Sequence, residues 1–239
     1  MAPKRKRKEA FDEGKKNVLT DFVRTSKIFI PSNDQDSAFS LKKCEAWFQK
    51  YCDDTSKGQM IGPEGIEQFC ADLGVDPTDI VMLVVAWKLR AENMGFFKLS
   101  EWKSGMCCLG CDSLLKLKSK LDILRGYLKD NSNFKKIYRY AFDFCRDKDQ
   151  RSLDIETGKA MLNLLLRDIW PQIDIFLEYM NQTKYKVINR DQWNSILEFI
   201  RTVDRSFSNY DVEGAWPVLL DEFVEYVKAK DASKSSQKQ

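Results

Sequence analysis

The amino-acid sequence predicts an all-α fold, and three observations carry that prediction. Turn-forming residues are scarce for a chain of this size, with 11 glycines and 6 prolines among 239 residues, fewer than a protein of hairpins and tight turns requires. Apolar residues recur at the i, i+3, i+4, i+7 spacing that lines one face of a helix. No segment sustains a period of two between Asn-Gly or Asp-Gly turns, so strands beyond short loop pairings are not expected.

The elements follow in chain order. "LKKCEAWFQKYC" (41–52) sets Leu41, Cys44, Trp47, Phe48 and Tyr51 on one helix face. "GVDPTDIVMLVVAWKL" (74–89) offers Asp76 as N-cap, Pro77 at the first helical position and Asp79 in the first turn, ahead of an apolar run that predicts a helix buried on most sides. Further starts are expected at Ser100, at Asp112 before "SLLKLKSKLDILRGYL", and at Asp154, while Pro171 and Pro217, each after a tryptophan, mark two more. In "NRDQW" (189–193), Asn189 followed by Gln192 has the capping-box arrangement. About nine or ten helices joined by short loops would form one domain, or two lobes in contact, over residues 37–228. Residues 1–36 and 229–239 read as disordered tails.

Composition excludes several classes of function. No apolar stretch is long enough to span a bilayer, no secretory signal or common lipidation motif is present, and a soluble intracellular protein is expected. The seven cysteines read as buried thiols in a reducing compartment, and "CCLGC" (107–111) has no second Cys-x-x-Cys and no histidine to complete a zinc site. The absence of histidine removes the Ser-His and Cys-His nucleophile pairs and the usual general base, so neither catalytic residues nor cofactors are expected. Net charge is +3, but residues 1–16 carry +4 and residues 228–239 carry +3, which leaves a body of −4. An acidic body argues against a nucleic-acid partner. The run Lys4, Arg5, Lys6, Arg7, Lys8 has the form of a compact nuclear-import signal, so a nuclear protein, present also in the cytoplasm, is expected.

Several stretches have the outline of a twelve-residue calcium loop without its ligands. In "DDTSKGQMIGPE" (53–64), Lys57 stands at position 5, where a hard cation needs oxygen. "RAENMGFFKLSE" (90–101) begins with Arg90 and has Met94 at position 5, and "DKDQRSLDIET" (147–157) places Arg151 there and ends in Thr157. "DVEGAWPVLLDE" (211–222) has Ala215 at position 5 and Trp216 where the sharp turn needs glycine. Helix–loop–helix rhythm persists while the oxygen donors are gone, so no metal is expected. Six acids and one arginine between Asp204 and Glu225 suggest a negative face that would suit a basic partner, or else a solvated acidic surface with Trp216 in the core.

Four segments carry a resemblance to a known family. "GPEGIEQFCADLGVDP" (62–77), "AWKLRAENMGFF" (86–97), "FKKIYRYAFDFCRDKDQRSLDIE" (134–156) and "SNYDVEGAWPVLLDEFVEY" (208–226) resemble the potentiating-neddylation domain of the defective-in-cullin-neddylation family. With its short basic amino terminus, the chain is similar to the nuclear members numbered four and five. The resemblance implies a scaffold-type co-ligase for cullin neddylation, monomeric and without a membrane partner. Such a scaffold holds a cullin, and indirectly its RING subunit, beside the N-acetylated neddylation conjugating enzyme. It implies an acid–alanine–acid patch of Asp191, Ala215 and Asp221 for the cullin's winged-helix domain. It also implies a pocket for the enzyme's acetylated terminus lined by Ile66, Met82, Val85, Ala86, Phe97, Phe144 and Leu164, residues that alone read as core. A degenerate EF-hand adaptor for other targets and a cysteine-dependent transferase are the alternative classes.

Overall fold

A computed structural model describes residues 38–52 and 58–236; the basic run Lys4–Lys8 and the ligand positions Asp53 and Lys57 lie outside them. From Phe39 onward the chain is one compact unit. It is all-α, with two small antiparallel ribbons that tie helix–loop–helix units together in pairs.

The first pair begins with α1 (Leu41–Gln49), capped by Ser40, whose hydroxyl accepts from Lys43 N. Cys44, Trp47, Phe48 and Tyr51 of its stripe are buried, and Leu41 stays 48% exposed. β1 (Met60–Ile61) leads into α2 (Pro63–Leu73), and β2 (Phe97–Lys98) into α4 (Leu99–Leu109), with Met60 opposite Lys98 and Ile61 opposite Phe97. Between them runs α3 (Ile80–Leu89), apolar on nearly every side and buried accordingly. The core of this half gathers on Trp102, which meets Trp47, Phe48 and Phe69 edge-on at centroid distances of 4.6, 5.6 and 5.2 Å. Such packing needs close backbone approach. A Cβ on Gly105 would lie 2.5 Å from Leu89 Cα, so only glycine lets α3 and α4 cross there.

Two helix starts differ from the sequence expectation. α3 is capped by Asp79, not Asp76, because the Asp76 carboxylate accepts from Thr78 N (2.7 Å) and Thr78 Oγ1 (2.5 Å), closing a turn that holds Pro77. Asp79 then accepts from Val81 N (2.8 Å) and is held by Arg125 Nη2 (2.7 Å). The long helix expected after Asp112 is instead α5 (Leu114–Lys118), α6 (Leu121–Gly126) and a 3-10 turn (Tyr127–Lys129). Asp112, only 3% exposed, accepts from Ser40 N (2.8 Å) and pairs with Lys116 (3.1 Å). Ser119 Oγ donates back to Lys116 O, and Lys120 Nζ reaches Leu109 O (2.5 Å) at the end of α4. These tertiary bonds win over local helix propensity.

The second pair is built on α7 (Asn131–Cys145), α8 (Ile155–Leu166), α9 (Ile173–Gln182) and α10 (Arg190–Thr202). β3 (Leu153–Asp154) pairs with β4 (Val187–Ile188). The sequence singles out 211–222 as a loop of this type, but the ribbon partner of the 147–157 loop is the chain around Val187. Val218, the position that would pair, is 62% exposed at the start of α11 (Val218–Ser236). α9 starts at Ile173 after Gln172, two residues past Pro171, and the capping box at Asn189 and Gln192 forms as expected. α11 continues beyond Lys228; Lys230 Nζ donates to Glu178 on α9 and lies over Tyr226. α7 joins the halves. Tyr140 OH donates to Ala91 O and Met94 N to Phe144 O, while Tyr138 and Trp193 stack at 4.8 Å and exchange hydrogen bonds with each other's carbonyls (2.8 and 2.9 Å).

Protein cations stand in the loops where the sequence lacks calcium ligands. Arg146 Nη1 donates to the carbonyls of Asp147 (3.2 Å), Lys148 (3.5 Å) and Gln150. In the 90–101 loop, Glu101 at position 12 accepts from the backbone N–H groups of Glu92 (3.1 Å) and Lys98 (2.9 Å). Glu92 is bound by Lys98 Nζ (2.5 Å) and Lys148 Nζ (3.4 Å), which hold its carboxyl below the ordinary range. Oxygens of these two loops are engaged by ammonium, guanidinium and backbone N–H groups of the chain itself.

Three outcomes follow. Isothermal titration with calcium should give no stoichiometric heat. Gly105→Ala should lose about 1–3 kcal/mol of unfolding free energy through overpacking. Gly126→Ala, where nothing lies within 4 Å of the added Cβ, should be neutral or gain up to about 1 kcal/mol in the same denaturant series.

Candidate functional site

The acidic segment after α10 is a preassembled loop. Asp204 accepts from Ser206 N (2.9 Å), Ser206 Oγ (2.7 Å), Ser208 N (3.0 Å) and Ser208 Oγ. These donors, the Ser208 hydroxyl first, hold its carboxyl at about 2. Asn209 bridges back, accepting from Asp204 N and donating to Thr202 O. Phe207 takes a left-handed backbone (φ 56°), uncommon for a bulky residue, and its ring is buried against Phe199 and Phe223.

The following turn carries the small residue. Gly214 N donates to Asp211 O (3.1 Å) and Trp216 N to Gly214 O (2.8 Å); a Cβ at Gly214 would come within 2.9 Å of Asp211 O. Ala215 is exposed at the tip, between Val212 (69% exposed) and Val218. Trp216 is half-buried, with Phe199 edge-on at 5.7 Å and Tyr210 stacked at 6.3 Å. The Tyr210 hydroxyl donates to Asp221 Oδ1 in the first turn of α11. Burial, and then the Asp221 carboxylate, push the Tyr210 phenol well above its ordinary range, so it remains a donor.

Two of the three acid–alanine–acid residues are therefore tied together: Ala215 and Asp221 meet through Tyr210 and Trp216. Asp191 stands exposed in the first turn of α10, about 12 Å along the axis from Phe199, and no direct contact joins it to the other two. Arg190 beside it is drawn to Asp143 and lies over the Phe142 ring. Among the described residues, no lysine or arginine forms an ion pair with Asp191, Asp211, Glu213, Asp221 or Glu225. Asp191 and Asp221 each occupy the first turn of a helix, where the helix dipole favours a negative charge. The arrangement is a negative surface whose charge no cation among the described residues neutralises.

The apolar set is distributed differently. Val85 and Ala86 on α3 and Phe97 on β2 are enclosed in the core, Met82 and Phe144 reach its edge, and Ile66 on α2 and Leu164 on α8 are half-buried. A ligand would meet the edge residues, together with Met94 and Phe96, which are exposed on the loop beside Phe144. Phe96 was not among the residues the sequence pointed to, although an exposed phenylalanine next to exposed methionine is the signal of an adaptable apolar surface. Tyr210 and Asp204 were also missed; the Asp-x-Ser-x-Ser spacing of 204–208 is the pattern that gives Asp204 away.

Three of the cysteines are held as thiols by burial. Burial pushes the thiols of Cys44 and Cys70 up to about 11 and that of Cys145 up to about 12, leaving them protonated and poorly nucleophilic. Cys107 and Cys108 are exposed on α4, unlike the buried thiols the sequence suggests. No group of three or more His, Cys, Asp or Glu among the described residues is placed to hold a metal ion, and none of their helices is long and apolar enough to cross a membrane.

Residues 116–226 match the family model described as cullin binding, a segment containing Asp191, Tyr210, Ala215 and Asp221. DCN1-like protein 4 of Homo sapiens is 52% identical over 235 residues, 98% of this chain and 80% of that protein. DCN1-like protein 5 of Rattus norvegicus is 52% identical over 242 residues, 98% of this chain and 100% of its own length. The Homo sapiens DCN1-like protein 5 is 58% identical over 195 residues, 82% of this chain and 81% of its own.

Asp204 has a measurable signature. Its carboxyl is lowered on folding, so its contribution is complete above the unfolded value near 3.8 and is lost as pH falls through about 2. Asp204→Ala should speed amide exchange at Ser206 and Ser208 at neutral pH, and the difference from wild type should close toward pH 2.

Proposed function

This chain belongs to the DCN1-like, cullin-binding family, and from that premise we propose that it is a non-catalytic co-ligase for cullin neddylation. It binds a cullin's C-terminal winged-helix domain at the negative surface around Asp191, Ala215 and Asp221. It binds the acetylated amino terminus of the neddylation conjugating enzyme along the apolar edge of Ile66, Met82, Phe144 and Leu164, with Val85, Ala86 and Phe97 forming the floor. The RING subunit on the cullin is then brought near without direct contact. No bond is made or broken by this chain. Fixing enzyme and cullin lysine in a productive orientation replaces an encounter by a step within one assembly, a gain of several kcal/mol in favourable cases.

The observation that carries this reading is the set of acids around Ala215 that form no ion pair among the described residues, on a frame fixed by the Asp204 loop. Unneutralised carboxylates at two helix starts, around a side chain too small to obstruct, suit a basic segment that brings its own charges. Residues 37–228 are assigned as the binding unit, and Lys4, Arg5, Lys6, Arg7 and Lys8 as the element directing it to the nucleus.

The test is charge reversal. Asp191→Lys with Asp221→Lys should weaken binding to a purified cullin C-terminal domain by at least about 30-fold, since reversed charges oppose a basic partner by about 2 kcal/mol or more. The melting temperature should stay within a few degrees, and binding of an acetylated conjugating-enzyme peptide should be unchanged. Leu164→Glu should give the opposite pattern. Cullin binding that survives the double reversal would refute the site. Cysteine-free protein should stimulate cullin modification as the wild type does; loss of stimulation in a folded variant would restore the transferase.

A further inference from the structure

We infer that Tyr210 is a positioning residue of the proposed cullin-docking site, one that fixes the Asp221 carboxylate and the Ala215 turn into a single surface; this deepens the proposed function and rests on it. Asp221 and Ala215 belong to different elements, the first turn of α11 and the loop before it. Tyr210 meets both. Its hydroxyl donates to Asp221 Oδ1, and its ring stacks on Trp216 at 22° between planes, next in sequence to Ala215. Both rings rest edge-on against Phe199, which is buried in α10, so the pair is anchored in the core.

The division of labour within Tyr210 is legible in its contacts. Packing against Trp216 and Phe199 needs only an aromatic ring, which phenylalanine would supply. The hydroxyl adds one thing: it takes up Oδ1 of Asp221 and restricts the rotation of that side chain. Oδ2 of Asp221 has no hydrogen-bond donor among the described residues, and no cation pairs with the group. A carboxylate held by one oxygen from within presents the other outward in a fixed direction, which favours a partner offering one N–H donor, such as a lysine ammonium, over one needing both oxygens. An unrestrained aspartate in the first turn of a helix would have to be ordered at the moment of binding.

The experiment is a double-mutant cycle on full-length protein, read as dissociation constants for a purified cullin C-terminal domain, with melting temperatures measured alongside. Tyr210→Phe should weaken binding by roughly fivefold to tenfold in the wild-type background and by nothing further in Asp221→Ala, since the hydroxyl then has no carboxylate to hold. Asp221→Glu keeps the charge and moves the carboxylate out of register, so it should lose a similar factor, and Tyr210→Phe should add nothing to it. This second arm does not depend on how Tyr210→Phe folds. Wild-type affinity in Asp221→Glu, or equal losses from Tyr210→Phe with and without Asp221, would overturn the positioning role. Tight binding by Asp221→Ala itself would instead overturn the docking site, and the two failures are thereby separate.

Discussion

Trp193 and Tyr138 each carry a polar group into the fully buried core, and each is satisfied by the other's backbone carbonyl. Leaving either donor unmade would cost on the order of 1–3 kcal/mol, so α7 and α10 have one register and one rotation in which they pack. The stacking of the two rings points the same way. What hangs on this register is the placement of α10: Asp191 begins that helix, and Phe199, two turns on, is the platform under Tyr210, Trp216 and Phe207. α7 also grips the first half through Tyr140 and Phe144, so the apolar edge and the negative surface are referred to the same rod.

The missing calcium ligands were legible in the sequence, because an absent oxygen donor is a local fact about one position. What replaced them was not legible. Arg146 precedes the loop it fills, and Lys148 belongs to a different loop from the Glu92 it pairs with, so only the folded chain brings each cation to its oxygens. For the same reason the sequence does not show which loops pair. The 211–222 stretch matches more of the calcium template than the residues around Val187 do, yet β4 lies against β3. Ribbon pairing is decided by which helices meet in the core, a non-local property that a twelve-residue window does not contain.

Helix starts divide along the same line. Caps whose side chain bonds only to its own helix, as at Asn189 and Asp154, could be read directly. Those recruited elsewhere could not, because Asp112 serves Ser40 and Asp76 serves a turn. The acid cluster was visible in composition, but Asp191 and its link to Ala215 and Asp221 came from family resemblance. Tyr210 was passed over, since a sequence does not reveal that a ring packs on Trp216 and Phe199 while its hydroxyl faces a carboxylate.

The left-handed backbone at Phe207 has an outcome beyond local geometry. Such a conformation costs a bulky residue about 1–2 kcal/mol, and it persists here because the ring is buried between Phe199 and Phe223 while the Asp204 bonds close the chain around it. The protein has thus met the entropy of shaping this segment during folding, long before any encounter. What remains at the rim is a hard relief on which the exposed side chains at 212, 213 and 215 can be exchanged without recasting the backbone beneath. Substitution at those three positions then alters the outline offered to solvent while the mould beneath keeps its shape.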